Sequence, residues 1–166
     1  RNNSRVPLSV FGTKQKGMTL IIDRHSALRA LAEKAGFLLQ LCWSHILADS
    51  KDLKKSFGAE GGYVYNKLKE IFEMASAFRG KGTPEQVDAL KAEIFALTLR
   101  HYKHITIRRF VNNLWERDIN SLFRFVTDPD VDPTNNISER ELRHLVIIRK
   151  ISNGSRSTRG ANATAM

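Results

Sequence analysis

Two continuous apolar runs flank a helical pattern near the start of the chain. The first run, residues 18 to 22, favours a β-strand and ends at Asp23, and the second covers residues 37 to 43. Between them, residues 26 to 35 place apolar side chains at helical spacing, and Gly36 follows as a stop signal. This order predicts strand, helix, strand, the unit that joins two parallel strands through a right-handed crossover.

After the second run the pattern becomes helical, and we predict no further strand up to the next proline-rich break. Helices are predicted over residues 44 to 57 and 63 to 78. Three glycines lie between them and predict a break at Gly58, Gly61 and Gly62.

A third helix has the strongest start signal in the sequence. Thr83 can cap it, Pro84 occupies its first position, and Gln86 stands where a capping box needs an amide or acid. A fourth helix is predicted over residues 105 to 125. The apolar residues expected to be buried from these helices are Val64, Leu68, Ile71, Ala75, Val87, Leu90, Ile94, Leu97, Phe110, Leu114, Trp115, Leu122 and Phe125.

Prolines and aspartates in residues 128 to 133 end the helical block, because proline cannot continue a helix. Asn135 or Asn136 can cap a further helix over residues 137 to 149. The organisation we predict is a lead-in with at most one short strand (1–17), a strand-helix-strand core (18–43), a helical block (44–127), a segment with the last helix and a Gly/Ser/Arg loop (128–160), and a truncated tail (161–166). The overall class is α/β and mostly helical.

Charge and composition limit the partners and the cellular location that the sequence favours. The 166 residues hold 27 Lys and Arg against 17 Asp and Glu, which leaves a net charge of +10. The electrostatic field of so basic a protein attracts phosphate backbones or anionic lipid, and we expect nucleic acid to be the partner. No apolar run approaches the ~20 residues that span a bilayer, and no signal peptide is recognisable, so we expect a soluble cytoplasmic protein without membrane contact. Because Cys42 is the one cysteine, an internal disulfide is excluded.

Two carboxylates are candidates for metal binding. Asp23 lies at the end of a predicted strand and Glu139 near the start of a predicted helix. Hard divalent ions prefer oxygen ligands, so the pair suits a Mg²⁺ site for phosphodiester chemistry. The alternative is that Asp23 is a turn former and Glu139 only a partner of the helix dipole. Spacing alone favours that alternative.

Cys42 and His45 lie three residues apart and could share a metal or act as an acid-base pair. Zinc normally takes four ligands, and His101 and His104 are the remaining candidates. A nucleophilic dyad would require a cleft that this spacing does not establish. A buried cysteine with a histidine hydrogen-bonded nearby is therefore the preferred interpretation.

The densest group of cations follows Glu139. A glycine, serine and arginine loop continues it, and backbone N–H groups, hydroxyls and guanidiniums all suit phosphate oxygens. A solvated charged face is the alternative interpretation. The residues predicted to contact DNA are Arg140, Arg143, Arg149, Lys150, Arg156 and Arg159.

Two motifs, one on each side of the helical block, occur in a recognisable order. The first is Asp23, a short helix, and then Cys42-Trp43-Ser44-His45. The second is Asn135-Asn136-x-x-Glu139-Arg140-x-Leu142-Arg143, followed by Arg149-Lys150 and Gly154-Ser155-Arg156-Ser157. Over about residues 18 to 160, their order and spacing resemble the catalytic domain of insertion-sequence-66 family transposases.

The resemblance implies a ribonuclease-H-like core of the DDE type, interrupted by a helical insertion before the catalytic glutamate. Asp23 would be the second catalytic acid and Glu139 the third, together binding Mg²⁺ or Mn²⁺. Cys42 and His45 would be a structural pair. It also implies DNA cleavage and strand transfer, with transposon ends and target DNA as partners, a homo-oligomer on DNA, and a bacterial, nucleoid-associated location.

The chain departs from the family pattern in two places. Asp23 is followed by Arg24 and His25, where members commonly have a Gly-Tyr type sequence. The first catalytic aspartate should lie upstream of Asp23, yet residues 1 to 17 hold no acidic residue. Together with the start at Arg1, this predicts a fragment that is inactive alone. The alternatives are a non-enzymatic basic helical module that binds nucleic acid and a Cys-His metal protein.

Overall fold

A computed structural model describes residues 17–24 and 26–135 of the chain. The chain divides into two compact units, Arg1–Thr134 and Asn135–Met166. The features described below all belong to the first unit. The lead-in strand, the predicted helix over 137 to 149 and the tail lie outside the described residues.

The predicted strand-helix-strand unit is confirmed. Strand β1 (Thr19–Ile22) pairs in parallel with β2 (Leu38–Leu41), with Thr19 opposite Leu38 and Ile22 opposite Leu41. Helix α1 (Ser26–Ala35) connects them. Gly36 ends α1 at a φ of 78°, and the Phe37 N–H donates to the Ala32 carbonyl at 3.0 Å. This six-to-one bond is that of a Schellman cap, so glycine is needed here for its positive φ.

Helix α2 (Trp43–Ala77) consists of two helical segments joined at a kink, so the predicted pair of helices with a break at Gly58 is confirmed. Its backbone leaves helical geometry at Phe57 and Gly58, where Gly58 has φ 56°. Gly61 and Gly62 were predicted to belong to the break, and that was wrong, because both continue the helix after it. A Cβ on Gly61 would lie 2.2 Å from the Leu53 carbonyl oxygen, so the two halves of α2 approach each other at this glycine.

Helix α3 (Pro84–Thr98) begins with the predicted capping box. The Gln86 N–H donates to Thr83 Oγ1 at 3.4 Å, and the Thr83 N–H donates to Gln86 Oε1 at 2.9 Å. Together these bonds satisfy two N–H groups that a helix start leaves unpaired.

The fourth predicted helix is divided into shorter pieces. Helix α4 (Ile105–Asn113) runs into a π-helical turn (Leu114–Asp118), a 3₁₀ turn (Ile119–Ser121) and the short helix α5 (Arg124–Thr127). The wider π turn buries the side chains of both Leu114 and Asp118. A continuous α-helix was therefore the wrong prediction for residues 114 to 123.

One apolar core joins β2 to all of the longer helices. The predicted buried residues lie in it, except that Val87, Phe110 and Trp115 are half-buried at its margin. Among the described residues, no helix is long and apolar enough to cross a membrane. The core residues with no more than 1% exposure include Leu41, Trp43, Ile46, Val64, Leu68, Ile71, Ala75, Ile94, Ile107, Val111, Leu114, Leu122 and Phe125.

Candidate functional site

Asp23 lies directly after β1, at the carboxyl end of the parallel pair. The Cys42 N–H donates to the Ile22 carbonyl at 2.8 Å, so the pairing continues one residue past the end of β2. Asp23 is half-buried there, and Cys42 is buried. In open α/β sheets, ligands bind outside the carboxyl ends of parallel strands. The structure therefore puts Asp23 at the edge of the sheet where such sites occur.

The Cys42 and His45 side chains belong to the first turn of α2 and its cap. The Cys42 Sγ lies 2.9 Å from Ser44 Oγ, and the His45 N–H donates to the Cys42 carbonyl at 3.2 Å. A thiol with 1% exposure is poorly accessible to a substrate. Within residues 17–24 and 26–135, no group of three or more His, Cys, Asp or Glu side chains is arranged to hold a metal ion.

Trp43 connects the end of β2 to two later parts of the chain. Its ring is fully buried and stacks on Phe72, with ring centroids 5.3 Å apart. Its indole N–H donates to the Leu122 carbonyl at 2.8 Å, and its backbone N–H donates to the Pro133 carbonyl at 2.9 Å. Pro133 is thereby held beside the carboxyl end of β2, six residues before Glu139 in the sequence.

A buried amide strengthens the same connection. Gln40 has 0% exposure, and its Nε2 donates to the carbonyls of Leu41 at 2.8 Å and Leu122 at 2.9 Å. Its Oε1 accepts the Phe125 N–H at 3.3 Å. A fully buried amide is tolerated only when its polar atoms are paired, so these bonds specify where the 122 to 125 segment crosses β2.

Asp118 is a buried carboxylate that sequence reasoning missed. Its side chain has 4% exposure and lies 2.6 Å from Arg29 Nη2 and 2.9 Å from Arg24 Nη2. The first contact is a hydrogen bond, whereas the second is an ion pair without hydrogen-bond alignment. A signal was present, because Asp118 is spaced four residues from both Leu114 and Leu122 and so interrupts an apolar face.

The two arginines bring this carboxylate close to the end of β1. Arg24 directly follows Asp23, and its guanidinium lies 4.9 Å from the centroid of the Phe110 ring and 3.7 Å from Asp49 Oδ2. Burial raises the pKa of Asp49, and the Arg24 guanidinium opposes that rise. Arg29 also donates from Nη1 to the Arg117 carbonyl at 2.7 Å. These contacts tie β1 and α1 to the π turn.

The other residues predicted for the site lie outside the described part of the chain. This holds for the proposed third acid and for all six cations predicted to contact DNA. They are Glu139, Arg140, Arg143, Arg149, Lys150, Arg156 and Arg159.

Comparison with known proteins gave one match. A model of the family described as Transposase IS66 family matches residues 3–163, nearly the whole chain. No curated protein and no solved structure matches it.

Proposed function

The chain belongs to the IS66 family of transposases, and from this premise we propose that it carries part of the catalytic site for metal-dependent cleavage and transfer of DNA strands. The family implies DNA as a partner and a transposition-related role. The observation that carries the proposal for this chain is the position of Asp23. It lies half-buried at the carboxyl end of a parallel β-strand, inside the matched region.

In this proposal Asp23 and Glu139 are the second and third acids of a three-carboxylate site in a ribonuclease-H-like core. Carboxylate oxygens suit the divalent ions that DDE transposases generally use, and half-burial leaves Asp23 accessible to one. Such an ion would activate a water or a 3′-hydroxyl and stabilise charge on the oxygens around phosphorus. Asp23 and Glu139 would hold and orient it.

In this proposal the role of Glu139 rests on the family motif, and the scaffold around β2 supports the position of Asp23. The Trp43 bond to Pro133 fixes the chain at the carboxyl end of β2, within unit 1. Cys42 and His45 belong to this proposal as structural residues that hold the start of α2.

The helices of residues 44 to 127 would form the insertion that separates the second acid from the third. The first acid has no counterpart among residues 1 to 17, which hold no Asp or Glu. We therefore expect the isolated chain to bind DNA without joining strands. In this proposal the transposase acts in the bacterial cytoplasm as a homo-oligomer on transposon ends and target DNA.

The decisive experiment measures DNA affinity with and without Mg²⁺ for the wild-type chain and for Glu139→Gln and Asp23→Asn. If the two acids bind metal, Mg²⁺ strengthens DNA binding by the wild type and not by either variant. Asp52→Asn is the matched control, because Asp52 is 71% exposed on α2 and pairs with Lys55. It should keep the Mg²⁺ response.

A result that does not depend on Mg²⁺ would favour the non-enzymatic alternative, in which the chain, with its net charge of +10, binds phosphates through its cations alone. Removing a carboxylate should then strengthen DNA binding equally with and without Mg²⁺. Strand joining by the isolated chain, above the level of an Asp23→Ala, Glu139→Ala double variant, would show that no further acid is needed.

A further inference from the structure

A pocket of about 380 Å³ opens beside the residue that follows Asp23. It is lined by four arginines, Arg24, Arg29, Arg109 and Arg117, and by two carboxylates. The guanidiniums exceed the carboxylates by two positive charges. Such an excess in a concave site attracts anions.

Ion pairs with Asp118 account for the positions of Arg24 and Arg29 but not for those of Arg109 and Arg117. Arg24 and Arg29 are 21% and 15% exposed, and both face the Asp118 carboxylate. Arg109 and Arg117 are exposed and form no ion pair with any residue in the described ranges. A purely structural tie between α1 and the π turn would not require them at the mouth of the pocket.

The backbone around the pocket gives the arginines fixed positions. Arg117 and Asp118 belong to the π turn, an element often found at functional sites. Because Asp118 is almost fully buried and bonded to Arg29, it orients the inner guanidiniums. Thr106 and Asn113 add neutral hydrogen-bonding groups to the lining. Planar guanidinium forks with neutral donors are the groups that bind phosphate oxygens in nucleic-acid complexes.

We propose that this pocket binds a backbone phosphate of the DNA strand that runs past Asp23. Arg109 and Arg117 contact the phosphate, and Asp118 acts as a positioning residue for Arg24 and Arg29. The proposal rests on the proposed function for the identity of the polyanion. The cations of residues 140 to 159 are one predicted DNA contact. The pocket is a second, and it lies in the described part of the chain.

The test is the salt dependence of DNA binding by the full chain. A fluorescent DNA duplex is titrated at several salt concentrations in the presence of EDTA, so that no metal site contributes. The double variant Arg109→Gln, Arg117→Gln should make the plot of log affinity against log salt less steep by about 0.9, the value for one lost phosphate contact, and each single variant by part of that. Arg108→Gln is the matched control, because Arg108 is the exposed neighbour of Arg109 on α4 and does not line the pocket.

A variant that removes a negative charge from the pocket tests the proposal from the other side, because it should strengthen DNA binding. Asp49 lines the pocket, faces Arg24, and is 54% exposed, so Asp49→Asn should fold and should bind DNA more tightly at low salt. Circular dichroism would confirm that every variant is folded.

Several outcomes would overturn the proposal. They are unchanged slopes in both pocket variants, an equal loss in Arg108→Gln, weaker binding by Asp49→Asn, or no DNA binding by the wild type. The first three leave the proposed metal function standing, because that function is read from the Mg²⁺ response. The last, in EDTA, removes the pocket proposal alone, whereas an absence of DNA binding in Mg²⁺ as well would remove both.

Discussion

The contact between the two halves of α2 predicts opposite effects for alanine at two adjacent glycines. A Cβ on Gly61 would lie 2.2 Å from the oxygen and 2.4 Å from the carbon of the Leu53 carbonyl. A Cβ on Gly62 would meet no atom closer than the Lys54 Cγ at 3.7 Å, an ordinary contact. Both glycines are helical, so alanine gains the same helix propensity at either position.

The magnitudes follow from these distances. Alanine in place of glycine in a helix stabilises by about 0.5–1 kcal/mol, and this is the expected effect of Gly62→Ala. At Gly61 the obstacle is backbone, which cannot rotate away, so the two helical segments must separate. Overpacking of this kind costs about 1–3 kcal/mol or more and outweighs the propensity gain. Because the propensity gain is the same at both positions, we expect Gly61→Ala to be less stable than Gly62→Ala by the overpacking cost, about 1–3 kcal/mol.

Urea unfolding followed by circular dichroism measures this difference directly. For a chain of this size it corresponds to a difference of roughly 2–12 °C in the midpoint of thermal unfolding. Equal stability of the two variants would refute the reasoning, because it would mean that the halves of α2 do not meet at Gly61.

Three further predictions concern buried polar groups. Asp118→Asn should destabilise the fold by about 2–4 kcal/mol in urea unfolding, since it leaves the partly buried Arg29 without its charge partner and Arg24 with only the more distant Asp49. A loss below about 0.5 kcal/mol would contradict the buried ion pair. Trp43→Phe removes the indole hydrogen bond to the Leu122 carbonyl, but that carbonyl still accepts a hydrogen bond from Gln40 Nε2. The free energy of unfolding in urea should therefore fall by only about 1–2 kcal/mol. Burial raises the pKa of Tyr102 from 10.0 to about 12, so its phenol deprotonates first in the unfolded chain. Stability should therefore fall as pH rises between those values, and Tyr102→Phe should reduce that fall.

Local signals predicted most of the described elements. The apolar runs on either side of α1 predicted both strands, and Thr83 with Gln86 predicted the start of α3. These signals can be recognised in the sequence because each depends on only a few neighbouring residues. The end of α4 was not predicted, because a π turn has no distinct sequence signal. The same limit applied at Gly61, where a helical glycine is required by a close approach and not by its own φ.

The sequence by itself determined the family, the order of the elements and the place of Asp23 at the end of a strand. These follow from periodicity and motif spacing, which are read along the chain. The tertiary structure decided which distant residues meet. It brought Asp118 to Arg24 and Arg29, and it joined Trp43 to both Leu122 and Pro133. Partners of this kind are about 80 or more residues apart and are selected by packing and by the need to pair buried charges and amides. The arginine pocket beside Arg24 could therefore be recognised only in the folded chain.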